Sequence, residues 1–311
     1  MDEVAALTYA VKKEGMRLRD AAATRAIADW LQDEFDGLER VAVLARERGE
    51  LVGWLLLAIR SNSLVEINPW FLGGQPLVAP GRELRSIGAL LLARAVRWAG
   101  KERVGRIEVA VPHSGNLVQD SGTREWFEAQ GFPVKLTYVD MVCSLREQEL
   151  TPENPPPGVE IAPLAEADQE ALYDCYIAAF AAGDALFFFD QGETERRTFF
   201  AALGLDEARE ETASLCLYLR EQLIGFTYVL PYGEGNRHIS CMCVHPDWQD
   251  QGLGKLMLRQ VLQQVAAQGL ETLTLGTETG MRAFHLYRDH GFQVTGGNTV
   301  FVWRQSSDHP L

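Results

Sequence analysis

The chain of 311 residues holds few cysteines: Cys143, Cys175, Cys216, Cys241 and Cys243. An odd, sparse set does not build a disulfide framework. Cys241 and Cys243 share one face of a strand-like run, but the nearby His238 and His245 fall on no metal-ligand spacing. The thiols read as buried apolar groups, and no metal is expected. Long apolar runs are also missing. The stretch "LVGWLLLAI", residues 51–59, is too short to cross a bilayer. The opening "MDEVAALTYAVKKEG" is acidic at its head and lacks the continuous apolar core of a signal peptide. The expectation is a soluble cytoplasmic protein without a membrane partner. Basic residues are scarce in the second half. Residues 1–150 carry 19 Lys+Arg against 21 Asp+Glu, whereas residues 151–311 carry 10 against 22. Without a basic stripe, nucleic acid is not an expected partner. The acidic field is mildly compatible with a cationic small substrate, and more readily with a plain solvated surface.

What is present occurs twice. "LTPENPPPGVE", residues 150–160, packs four prolines and a glycine into seven positions, which sustains neither a helix nor an inner strand. It places a boundary, with domains expected at 1–150 and 158–311 and a linker at 151–157. Each half then runs through the same order. Two strands join at a polar turn, in residues 41–59 and 214–232. The runs "QPLVAP" and "HISCMCVHP" follow, and a helix comes after each. The second helix has an apolar stripe at Leu253, Leu256, Met257, Val261 and Val265, and Gly100 and Gly269 stand where helices close. A strand, a short helix ending in Gly-Phe and a last strand complete each half. With two helices near each start, the order predicts an α+β fold, a mixed, mostly antiparallel sheet with flanking helices, built twice.

The stretch "VHPDWQDQGLGKLM" puts Gln249, Gly252 and Gly254 between a strand and a helix. The first helical N–H groups have no partner inside the helix, and the helix dipole is positive there. Glycines let a diphosphate reach them. The Gly-Lys-Ser/Thr ending of a P-loop and the three-glycine Rossmann fingerprint are both absent. Downstream, "AFHLYRDHGF" has the form Ala-x-x-Leu-Tyr-x-x-x-Gly-Phe. Together, in this order, the two motifs resemble the coenzyme A pyrophosphate loop and the closing helix of GNAT-superfamily N-acetyltransferases, and the likeness runs over nearly all of residues 158–305. The two-halved layout resembles tandem GNAT proteins such as mycothiol synthase.

That resemblance implies acetyl-CoA as co-substrate and direct transfer of its acetyl group to an amine, here of a small-molecule acceptor. It implies that Gln249, Asp250, Gln251, Gly252, Leu253, Gly254 and Lys255 line the pyrophosphate. Val244 would offer its N–H to the acetyl carbonyl, and Tyr287 would protonate the leaving thiolate. Two departures stand out. Gly280 occupies the place where the family often has Asn, and the run before the loop lacks the family's strand glutamate. An alkylammonium must lose a proton before it attacks, at a cost of about 4 kcal/mol at neutral pH. His238, Glu234 and Glu278 are the candidate bases, with His238 first. The acceptor pocket is expected in residues 178–197, where Phe187, Phe188 and Phe189 serve as core anchors or pocket walls and Asp184 and Asp190 could receive a cation.

Aligning Pro80 with Pro246 sets Glu83 against Gln249, Ser86 against Gly252 and Gly88 against Gly254; aligning Gly131 with Gly291 sets Phe127 against Tyr287. A carboxylate at the turn repels a diphosphate, so the first half is expected to keep the fold without catalysis. Two fused halves can stand in for a homodimer, so a monomer is expected. Two other functions remain open. One is a non-catalytic acyl-CoA-binding regulator; the other is a tRNA-dependent aminoacyl transferase, which the acidic charge disfavours.

Overall fold

The computed structural model describes residues 2–12, 39–61, 63–68, 73–115, 121–147, 154–183, 185–189 and 192–305. Asp184 and Asp190 lie outside the described residues, as does the side chain of Phe187.

The chain divides into two compact units, Met1–Lys135 with Asn298–Leu311, and Leu136–Gly297. This corrects the boundary expected at the Pro-rich stretch. The reason lies in two strands that pass from one unit to the other.

In the first unit, α1 (Asp2–Lys12) precedes the hairpin of β1 (Arg40–Glu47) and β2 (Glu50–Ser61). β3 (Leu64–Ile67) and the short β4 (Leu77–Val78) both pair antiparallel with β2. α2 (Leu84–Glu102) leads to β5 (Arg106–His113), which pairs parallel with β3. α3 (Ser121–Ala129) follows, and β6 (Val134–Ser144) starts here. Gly100 lies inside α2, not at its end; the left-handed cap is Arg103 at φ 57°. The core packs Leu91, Leu92 and Ala95 of α2 against Leu55, Leu57, Val65 and Ile107 of the sheet, with Phe127, Phe132 and Phe301.

In the second unit, β7 (Val159–Pro163) precedes α4 (Gln169–Ala181), the short α5 (Leu186–Phe189), α6 (Glu193–Ala201) and α7 (Leu205–Glu210). Asp168 caps α4 by accepting the Ala171 N–H at 2.9 Å, as a short acceptor at an N-cap should. β8 (Leu215–Leu219) and β9 (Gln222–Pro231) form the expected hairpin, and β10 (Asn236–Val244), α8 (Leu253–Ala267), β11 (Thr272–Glu278), α9 (Arg282–Asp289) and β12 (Gln293–Arg304) follow. Beside β11 lies β6: Val139, Met141 and Cys143 pair with Thr277, Leu275 and Leu273. β12 begins in this unit and ends in the first. The sheet has two differently packed faces, with β10 changing face at the irregularity between Ile239 and Cys241. Leu273, Leu275, Val139 and Met141 face α8 with Tyr287 and Phe292. Cys241, Cys243, Phe226 and Tyr228 face α4, with Tyr176, Phe188 and Phe200. All five cysteines are buried and none is in a disulfide. Among the described residues no helix is long and apolar enough to cross a membrane.

Candidate active site

β10 and β11 pair only from Asn236–Thr272 to Ile239–Leu275. Beyond that pair β10 runs on to Val244 along β9, with an irregularity between Ile239 and Cys241, and β11 runs on to Glu278 along β6. The two strands therefore part, and a wedge opens between them. His245 N–H donates to the Ile224 carbonyl at 2.8 Å. In an antiparallel ladder hydrogen-bonding direction alternates along the strand, so Cys243 also turns its N–H to β9. Val244 and Met242 turn theirs the other way, into the wedge.

The wedge leads to the glycine turn. Gly252 is the left-handed N-cap of α8 at φ 79°, with open space where a Cβ would stand. α8 closes on itself only from Leu256 N–H to Gly252 carbonyl, so the N–H groups ahead of that bond point out of the helix end. A cleft of about 270 Å³ lies here, bounded by the ends of α4 and β10, the turn, and the starts of α8 and α9. Val244, Gln249, Asp250, Gly252, Leu253 and Gly254 all line it. Its walls are mostly apolar: Phe180, Met242, Trp248, Met257, Met281 and Leu286. An aliphatic chain with a charged end suits that surface. Met257 belongs to the apolar stripe legible in the sequence and Phe180 to the stretch expected to form the acceptor pocket, whereas Met242, Trp248, Met281 and Leu286 are not singled out there as lining residues.

Several expected contacts take another form. Gln249 folds back, its Nε2 donating to the Val244 carbonyl at 2.9 Å. The amide therefore fastens turn to strand instead of extending toward a phosphate. Asp250, at φ 58°, pairs with Arg282 at 2.9 and 3.0 Å, both side chains being exposed. A carboxylate in a diphosphate site is repulsive by itself; here it holds a guanidinium at the cleft mouth. Arg282, two residues past Gly280, is the cation that the sequence reading overlooked. Gln251 and Lys255 are exposed, and Gln251 leans back to the Asp247 carbonyl at 3.5 Å.

Tyr287 lies in the core at 6% exposure, 5.7 Å from Phe292 between ring centres. Burial pushes its phenol well up, with smaller contributions from Cys241, Tyr138 and Cys243. His238 stands at the closed end of the wedge. Its Nδ1 is 2.9 Å from Thr274 Oγ1. Burial pushes the imidazole below its usual value, against a smaller upward pull from Asp140. Glu234 is exposed in the β9–β10 turn. Glu278, 2% exposed, accepts the Leu186 N–H at 3.1 Å and so fixes the start of α5. Phe188 is core and Phe189 is 52% exposed.

Among the described residues, the first unit offers a counterpart without an opening. Val78 faces Gly53 as Val244 faces Gly225. Where β3 leaves β5, however, the backbone fills the gap: a Cβ on Gly74 would lie 1.9 Å from the Ala110 carbonyl oxygen. Asn68 pins this segment, accepting the Leu56 N–H at 2.6 Å and donating to the Gln75 carbonyl at 2.5 Å. Glu83 precedes α2 and accepts from Ser86 Oγ at 2.7 Å. Over the α2 start, Trp126 sits 3.0 Å from where a Gly88 Cβ would be, a place that only Leu286 approaches beside Gly254, at 3.6 Å.

The sequence model described as "Acetyltransferase (GNAT) family" matches residues 170–292, the segment that contains the wedge, the turn and Tyr287. This segment belongs to the GNAT acetyltransferase family. Among curated proteins, an amino-acid acetyltransferase of Shewanella oneidensis is 32% identical over 73 residues, 23% of this chain and 16% of that protein. An uncharacterized N-acetyltransferase ycf52 of Gracilaria tenuistipitata is 33% identical over 70 residues, 22% of this chain and 37% of that protein. The chain thus spans well under half of these relatives. Among solved structures, a GCN5-related N-acetyltransferase from Sphaerobacter thermophilus has a TM-score of 0.60 at 18% identity, covering 99% of this chain and 94% of that one. A tandem GNAT protein from the clavulanic acid biosynthesis pathway has a TM-score of 0.55 at 17% identity, covering 98% and 95%. These likenesses extend the GNAT fold over the whole chain, and the expected mixed sheets with flanking helices are those of that fold. The family is one of acyltransferase enzymes, as the sequence motifs imply.

Proposed function

We propose that the second unit transfers an acetyl group from acetyl-CoA to the amine of a small-molecule acceptor, and that the first unit is non-catalytic. The observation that carries this reading is the parting of β10 and β11 beyond Ile239–Leu275, which aims main-chain N–H groups into a cleft at a helix start. Bound there, the donor supplies an activated thioester. The apolar walls take the chain that carries it, and the α8 start with Arg282 receives its phosphates. Of the N–H groups turned into the wedge, that of Val244 meets the pantetheine chain and that of Met242, nearer the apex, polarises the acetyl carbonyl and holds the developing oxyanion. Tyr287 donates a hydrogen bond to the departing sulfur. A thiol titrates near about 8.5, far below the raised Tyr287, so its phenol stabilises the thiolate without giving up the proton outright. His238, neutral at pH 7, takes the acceptor's proton through water, since Met242 lies about 13 Å along the strand. We further propose that the protein acts in the cytoplasm as a monomer.

The test is calorimetric titration of acetyl-CoA into the wild type and Gly252→Trp, followed by acetyl transfer to a panel of primary amines. One site per chain, lost in Gly252→Trp, and transfer to at least one amine are expected. No binding to the wild type would sink the assignment. Binding without any transfer would leave an acyl-CoA-binding regulator.

A further inference from the structure

Tyr138 lies on β6, far from the sequence motifs, yet it reaches the wedge. In register it faces Glu278, but its ring leans diagonally across β11 to Gly276. A Cβ built on Gly276 would meet the Tyr138 phenol oxygen at 1.8 Å and its Cζ at 2.4 Å. The absent side chain at position 276 is thus the seat of the phenol. Gly276 is also the first residue of β11 past the last pair with β10, Ile239–Leu275. The hydroxyl therefore stands at the apex of the wedge. It lies on the sheet face opposite α8, because Val139 and Leu275, its neighbours in sequence and on β11, point into the α8 core. Its surroundings are acidic, with Asp140 and Glu278 both acting on it, and it contributes in turn to the environment of Tyr287.

We propose that Tyr138 is a substrate-orienting residue: its phenol oxygen accepts a hydrogen bond from the acceptor's amino group and turns the nitrogen lone pair toward the acetyl carbon. This rests on the acetyltransferase reading of the same wedge. The chemical class it selects is a primary amine, whose N–H bonds leave one hydrogen for Tyr138 while the lone pair attacks. Tyr138 is 37% exposed, yet the partial burial of its ring and the two carboxylates push the phenol up to about 12, so it stays a neutral acceptor throughout the working range and is not the base.

Two variants test this in the full chain, Tyr138→Phe, which deletes the oxygen, and Gly276→Ala, which evicts the ring while keeping it in the molecule. With any amine that the wild type acetylates, each variant is expected to raise the acceptor KM at least tenfold, with the acetyl-CoA KM within twofold. The double variant is expected to lose little beyond either single one, because both remove the same contact. Unchanged acceptor KM in Tyr138→Phe would overturn the proposal, as would equal losses for acceptor and acetyl-CoA, the mark of a merely structural role. If the wild type binds acetyl-CoA yet acetylates nothing in the amine panel, this inference falls together with the reading beneath it; a working wild type with an indifferent Tyr138→Phe removes the inference alone.

Discussion

The side-chain amide of Gln249 donates to the main-chain carbonyl of Val244 at 2.9 Å. The last residue of β10, whose N–H faces the wedge, is thereby clamped by the first residue of the glycine turn. Anion site and wedge are held in one geometry by a single hydrogen bond. Gln249→Ala leaves that carbonyl without its partner at a half-buried position, a loss of about 1 kcal/mol. Gln249→Glu sets a carboxylate against the carbonyl and should do more harm. Calorimetry with acetyl-CoA should rank the affinities wild type, Gln249→Ala, Gln249→Glu, in falling order.

The Asp250–Arg282 pair is exposed on both sides, so breaking it costs the fold about 0–1 kcal/mol at most. Its effect should appear in binding. Asp250→Asn frees the guanidinium and should tighten acetyl-CoA about threefold, with a steeper dependence on salt. Arg282→Ala should weaken acetyl-CoA about tenfold and leave an acetylated pantetheine, which lacks phosphates, nearly unaffected. The opposite order of the two variants would mean that Arg282 does not meet the phosphates.

Tyr287→Phe removes one hydroxyl from a buried ring and keeps its packing. If the phenol supports the departing sulfur, kcat should drop by about 10²-fold while acetyl-CoA affinity stays within twofold. A drop in affinity with unchanged kcat would make Tyr287 a packing residue only.

His238 is held below its usual pKa, chiefly by burial. A base of this kind works deprotonated, so kcat/KM should fall on the acid side with a midpoint below about 6.5, and His238→Gln should remove that limb. The stability argument has the same direction. A folded-state pKa below the unfolded value favours the fold at neutral pH, and this contribution is lost as pH falls through the folded pKa. Melting curves of wild type and His238→Gln should therefore differ in their dependence on pH below about 6.5.

Acetyl-CoA should bind once per chain. Trp126→Ala clears the start of α2, but the Gly74 backbone still lies against the Ala110 carbonyl. The variant should gain no second site in calorimetry. A second site would show that Trp126 alone closes the first unit.

The glycine turn and the closing helix were legible because their chemistry is local. Gly252 sits at φ 79°, a conformation that glycine adopts without strain, and the Leu-Tyr-x-x-x-Gly-Phe run sets one helix face and its stop. The hairpins and α8 follow from alternation and a period of 3.6. The wedge was less legible, because it depends on where two strands stop pairing. Tyr138 was not legible at all: its neighbour Gly276 is 138 positions away in the chain, and register alone joins them. The partner of Asp250, Arg282, belongs to another helix and could not be read from the turn alone; local spacing misjudged Gly100, which α2 runs through on the strength of its buried leucines and alanines. The proline-rich stretch marked a break in composition but not the limit of the compact units, because β6 and β12 exchange across it.

That exchange constrains how the protein is made. The first unit takes in the end of β12 from Asn298 to Arg304, which supplies Phe301 to its core, and these residues are made after the whole second unit. Domains usually fold in order of synthesis, but here the earlier one must wait, nearly complete, while the whole second unit emerges. An unclosed sheet with an apolar face is open to other nascent chains during that interval. Yield in a cell should accordingly follow chaperone supply and elongation rate more closely than the melting temperature of the finished protein.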